Sequence, residues 1–137
     1  MRINPYLSFN QQCREAFEFY AKTFHGKIAM IMSQGESPMA AELPAASRDA
    51  IMHAELHVGD QVLMGADAAE GCGPARSNGC VTITVDSSGE ADRLFAALSE
   101  GGSVFMPMAE TFWAQRFGMA TDRFGTPWMI NCLKPMP

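Results

Sequence analysis

"CVTITVDSSGEADRLFAALSEGG", residues 80 to 102, decides how the whole chain is read. It opens on a strand, "CVTITVD". Ser87, followed three residues later by Glu90, makes a capping box that starts a helix. Ala91, Leu94, Phe95 and Leu98 form the apolar stripe of that helix, and Gly101-Gly102 ends it. The same order of elements has already appeared once, nearer the N-terminus.

There, "NPYLSFN" reads as a strand with Tyr6 and Ser8 on one face and Pro5, Leu7 and Phe9 on the other. Asn10 is the expected N-cap of a helix whose buried positions are Cys13, Phe17, Tyr20 and Phe24, with Gly26 as the stop. "KIAMIMS" is the next strand. Residues 35 to 50, rich in alanine and carrying Pro38 and Pro44, read as a long mobile loop. "MHAELHVGDQVLMGAD" reads as two strands around Gly59-Asp60, and "AAEGCGPARSNG" as a linker. After the second helix, "SVFMPMAETFW", "QRFGMATDRF" and "TPWMINCL" supply three more strands.

The halves overlay at an offset of 76 positions, which carries Asn10 to Asp86, Phe19 to Phe95 and Gly26 to Gly102. The expected fold is α+β: duplicated βαβββ modules whose antiparallel-rich sheets curl around a shared cleft, with helices outside. One domain spans residues 1–137, with module one over about 1–68, a linker over about 69–79 and module two over about 80–134.

Composition narrows the function. Of the 137 residues, 47% are apolar and 18% charged, which describes a globular chain and not a disordered one. The net charge of -5, with no cluster of Lys and Arg, argues against nucleic acid as a partner. "MRINPYLSFNQQ" lacks the apolar core of a signal peptide, and no apolar run is long enough for a membrane span. The four cysteines, Cys13, Cys72, Cys80 and Cys132, contain no C-x-x-C pair and read as reduced thiols of a cytoplasmic protein.

The ordered set "PYLSFN", "EAFEFY", "MHAELHVGD", "VLMGAD", "FWAQRFG" and "DRFGTPWMIN" resembles the vicinal oxygen chelate superfamily (glyoxalase, bleomycin resistance, dioxygenase), and within it the PhnB-like family. The likeness runs from residue 3 to residue 133. It implies a glyoxalase/bleomycin-resistance-like fold and a small-molecule cleft. Some PhnB-like proteins carry a demethylubiquinone methyltransferase label. In this chain Gly71-Cys72-Gly73 precedes a strand and not a helix, unlike a cofactor-binding glycine loop.

Metal-using members of the superfamily hold the ion with His or Glu on the first and last strand of each module. Carried over one at a time, those positions are Asn4 (or Pro5), His53, Cys80 and Met129, and the 76-residue offset takes 4 to 80 and 53 to 129. Only His53 is a good ligand for a hard ion, so no cofactor is expected. If a divalent metal binds, His53 with Glu55 or His57 would hold it. Met129 then stands where a relative has a metal-binding Glu, and Trp128 packs in the core.

His53, Glu55 and His57 alternate onto one strand face, opposite Met52, Ala54, Leu56 and Val58. His53 and Glu55 are the candidate acid-base pair, and His57 reads as a solvated neighbour. Of the eleven methionines, Met30, Met32, Met64, Met106, Met108, Met119 and Met129 fall on strands. Most read as core filler, but thioethers also make adaptable ligand walls. Asn4, Cys80, Met129 and Met64 are the expected ligand-binding residues. A nucleophilic role for Cys80 beside His53 needs a lowered thiol pKa, and a buried inert thiol is the plainer reading. The function expected is a cleft protein that binds a small organic molecule without a hard metal, either sequestering it or carrying out proton transfer through His53 and Glu55. The alternatives are a metal-dependent lyase, isomerase or dioxygenase, and a structural dimer module. A homodimer is expected, since a half-open sheet leaves edges for a second chain to cover.

Overall fold

The computed structural model describes residues 1–38, 41, 48–68 and 79–135. Residues 39–40 and 42–47 of the expected loop, and 69–78 of the expected linker with Cys72, lie outside them. The chain divides into two compact units, Met1–Arg76 and Ser77–Pro137.

Unit one contains β1 (Tyr6–Phe9), α1 (Cys13–Phe24), β2 (Lys27–Ser33), β3 (Ile51–Val58) and β4 (Gln61–Asp67). Its sheet has the order β1-β4-β3-β2, with β1 parallel to β4 and the other pairs antiparallel. Unit two contains β5 (Val81–Thr84), α2 (Ser88–Ser99), β6 (Ser103–Ala109), β7 (Ala114–Thr121) and β8 (Pro127–Leu133). It repeats the arrangement as β5-β8-β7-β6, with β5 parallel to β8. The duplicated βαβββ architecture expected from the sequence is therefore present.

Each helix covers one face of its own sheet. α1 buries Cys13, Ala16, Phe17, Tyr20 and Thr23, and packs on β3, where Ala54 and Leu56 are buried. α2 buries Ala91, Leu94 and Leu98 over β7 and β8, where Ala120, Trp128, Ile130 and Cys132 are buried. Phe24 and Phe95 are only half-buried. The stripe of α1 therefore shifts toward Thr23, a small correction to the expected core.

The helix ends differ from expectation in an instructive way. Asn10 does not cap α1. The residue at that position is Gln12, which makes no side-chain cap hydrogen bond. Asp67, at the far end of β4, supplies the missing acceptor: its Oδ1 accepts from the Cys13 amide (2.9 Å) and its Oδ2 from the Ile51 amide (2.8 Å). One carboxylate thus ties the start of α1 to the start of β3. In unit two the local rule holds, since Ser87 Oγ accepts from the Glu90 amide at 3.1 Å. The Glu90 carboxylate itself pairs with Arg93.

At the C-terminus of α1 the left-handed residue is His25 (φ 55°), not Gly26. Gly26 is required by closeness: a Cβ there would lie 2.8 Å from the His57 carbonyl oxygen on β3. A Cβ at Gly102 would strike the Thr121 carbonyl oxygen on β7. Since β3 and β7 hold equivalent places, one packing constraint explains this pair of repeated glycines.

The 76-residue offset does not survive past β2 and β6. The β2–β3 connection spans residues 34–50, whereas β6 reaches β7 through residues 110–113 alone. His53 consequently lies on β3, the third strand of its unit, and its counterpart strand is β7. Met129 lies on β8, whose counterpart is β4. The equivalence of His53 and Met129 as last-strand positions is overturned by an insertion that the repeat arithmetic ignored.

Candidate functional site

The face of the first sheet turned away from α1 carries its polar chemistry. Alternation along β3 sends Ala54 and Leu56 to the helix side and His53, Glu55 and His57 to the other. His53 Nε2 lies 3.0 Å from Glu55 Oε2, and His57 Nε2 lies 3.8 Å from Glu55 Oε1. The His53 and Glu55 side chains are 24% and 31% exposed, which leaves them reachable yet partly shielded. His57 is exposed, in agreement with a solvated neighbour.

Tyr6 completes the row, and sequence reading missed it. Its hydroxyl lies 3.1 Å from His53 Nδ1, and the two rings sit 5.7 Å apart. The available signal was the alternation of β1, which separates Tyr6 and Ser8 from the buried Phe9. What was not available was the pairing of β1 with β4, which opposes Tyr6 to Met64 while β3 opposes Glu55 to the same Met64. Burial, and then the neighbouring Cys13, raise the Tyr6 phenol above its ordinary value.

Methionines border this row. Met30 pairs with Glu55 and Met32 with His53 across β2–β3, and Met64 sits between Tyr6 and Glu55. All three are half-buried. Asn4 is half-buried just outside β1.

In unit two, Met129 is half-buried on the sheet face opposite α2, beside Thr82, whose Oγ1 donates to its Sδ at 3.7 Å, and opposite Met119. Met106 pairs with Met119, so a methionine row runs across β8, β7 and β6. Cys80 is exposed immediately before β5, so the buried-thiol reading is corrected. Trp128 is 2% exposed on the helix side, and its indole N–H donates to Asp122 Oδ2 at 2.8 Å. It is a core residue, as the alternation predicted.

The structure thus joins His53, Glu55 and Met64 in one unit and places Met129 and Cys80 in the other. Among the described residues, no three His, Cys, Asp or Glu side chains are grouped as ligands for an ion.

A family model described as 3-demethylubiquinone-9 3-methyltransferase matches residues 1–131, and the chain belongs to that family, the PhnB-like family it resembles in sequence. Protein YjdN of Escherichia coli (strain K12) is 36% identical over 147 residues, covering 100% of this chain and 99% of YjdN. The crystal structure of protein PA1353 from Pseudomonas aeruginosa is similar at 47% identity and a TM-score of 0.88, over 98% of this chain and 99% of that one. A glyoxalase/bleomycin resistance protein/dioxygenase family enzyme from Burkholderia phytofirmans shares the fold: TM-score 0.64 at 12% identity, over 96% of this chain and 97% of the other. Among the described residues no helix is long and apolar enough to cross a membrane.

Proposed function

We propose that this chain binds a small, largely apolar organic molecule without a hard metal ion, and that His53 and Glu55 handle a proton of that molecule. The observation that carries the reading is the 3.0 Å His53–Glu55 contact on a sheet face bordered by Met30, Met32 and Met64. Polarizable thioethers accept ligands of varied shape, and a single acid-base pair orients them. Membership of the PhnB-like family and the glyoxalase-type fold support a small-molecule site. Methyl transfer is not part of the proposal: β1 enters α1 through Asn10-Gln11-Gln12, which offers no glycine-rich turn for a cofactor.

The test is elemental analysis of protein purified without chelator, alongside thermal-shift screening of aromatic small molecules. Metal-poor protein stabilised by such ligands is the expected result; saturation at a hundredfold excess over Kd stabilises by about 2.7 kcal/mol. Near-stoichiometric nickel, zinc, manganese or iron, lost together with activity in His53→Ala, overturns the reading in favour of the metal-dependent alternative.

A second copy of the chain is the proposed partner of unit two. β6 is the edge strand of its sheet, and Val104, Phe105 (77%), Phe112 (89%) and Trp113 stand exposed on it and on the turn that follows. Burial of such a group is favourable at about 25 cal/mol per Å². Light scattering at high micromolar concentration should give twice the chain mass, and a monomer there removes the idea.

A further inference from the structure

The row Tyr6–His53–Glu55 has a direction. A carboxylate only accepts hydrogen bonds, so in the neutral imidazole His53 Nε2 carries the proton and donates to Glu55 Oε2 at 3.0 Å. Nδ1 is then a bare lone pair. Its partner at 3.1 Å, the Tyr6 hydroxyl, must donate to it. Burial raises the phenol above its ordinary value, so the proton needed for that bond stays in place. Both nitrogens of His53 are occupied in this arrangement, and the one proton of Tyr6 is committed. The remaining capacity is the free lone pair of Tyr6 Oη, on a residue that is 53% exposed.

We propose that Tyr6 Oη is the ligand-contacting atom of this face, and that it accepts a hydrogen bond from a neutral hydroxyl on an aromatic or enolic molecule. This rests on the binding face proposed above. His53 and Glu55 become positioning residues that hold the phenol in its accepting orientation. The chemistry discriminates: a hydroxyl brings a proton to the waiting lone pair, whereas an ether or a carboxylate brings only more lone pairs and is repelled. Met64, opposite Tyr6 across β1–β4, offers a thioether wall for the ring. The arrangement also permits proton transfer. The ligand O–H proton moves to Tyr6 Oη as the phenol proton moves to His53 Nδ1, leaving a ligand anion and an imidazolium held by Glu55. No other bond forms or breaks.

Two measurements test the proposal. In ligand-free, ¹⁵N-labelled protein, the nitrogen shifts of His53, assigned with His53→Gln, report the tautomer. The Nε2–H form is expected, and the Nδ1–H form overturns the proposal without touching the binding reading. Binding is then compared for 2-naphthol and its methyl ether, 2-methoxynaphthalene, in wild type and Tyr6→Phe. Tyr6 is exposed, so the substitution leaves the fold intact. The naphthol should bind about tenfold more tightly than the ether in wild type, the effect of one hydrogen bond, and the preference should vanish in Tyr6→Phe. Equal binding of the two probes in wild type, or a preference that survives Tyr6→Phe, overturns the proposal while the binding reading stands. Failure of both probes to bind removes the aromatic-ligand reading itself, and the proposal with it.

Discussion

Asp122 offers the sharpest test of how the second unit is held together. It is 3% exposed in the turn between β7 and β8, and its carboxylate gathers what the turn must satisfy. Oδ1 accepts from the amides of Phe124 (2.9 Å) and Thr126 (3.0 Å), and Oδ2 from the Trp128 indole (2.8 Å). The backbone closes the same turn, since the Asp122 amide donates to the Thr126 carbonyl and the Gly125 amide, at φ 94°, to the Asp122 carbonyl. Asp122→Asn is nearly isosteric. It keeps one oxygen for the two amides and turns an NH₂ group toward the indole N–H, so a donor faces a donor. Loss of one hydrogen bond to a charged group, with the other two weakened, costs about 2–3 kcal/mol. For a chain of this size that lowers Tm by about 6–10 °C. Thermal unfolding followed by circular dichroism reads it directly. Trp128→Phe, which removes the same indole donor, should be non-additive with Asp122→Asn by about 1–2 kcal/mol. A variant melting within about 2 °C of wild type, or strict additivity of the pair, refutes the claim that this carboxylate organises the turn.

Other outcomes follow from burial and charge. Burial first, and then Asp67, push the Cys13 thiol up to about 12 from an ordinary 9.0, against a smaller opposing effect of Arg14. The native state therefore holds this proton more tightly than the unfolded chain. The contribution is complete below pH 9 and is lost as pH rises toward 12, at about 1.4 kcal/mol per unit. Urea unfolding at pH 8 and pH 10 should show wild type losing about 1 kcal/mol more than Cys13→Ala, and equal losses contradict the assignment. Tyr20 is fully buried and Phe24 half-buried, so Tyr20→Ala should cost about 3–5 kcal/mol and Phe24→Ala about half as much; the reverse order in denaturant midpoints would mean that the helix is rotated. Among the described cysteines, Cys80 is exposed while Cys13 and Cys132 are buried. Iodoacetamide on native protein should label Cys80 well before the other two, and peptide mass spectrometry showing comparable labelling of Cys132 would count against that burial.

What could be read from residues alone was whatever depends on neighbours in the chain. The alternation of β3, the Ser87 cap and the Gly59-Asp60 turn are local and appear where the sequence placed them, and the helix stripes do so except that α1 buries Thr23 while Phe24 and Phe95 are only half-buried. The repeat was visible because the β-α-β portion of each unit has nearly the same length, and Gly26 and Gly102 mark the same tight approach to a strand. The His53–Glu55 pair was also legible, since residues two apart on a strand share a face. Tertiary structure decided the rest, because those contacts join segments far apart in sequence. Asp67 caps a helix more than fifty residues away, a role no local motif announces. Tyr6 meets His53 only because β1 lies parallel to β4, which brings β3 alongside. The longer β2–β3 connection broke the equivalence of His53 and Met129, since an offset counted along the chain cannot see where a loop has grown. Periodicity encodes which way a side chain points; only strand pairing determines what it meets.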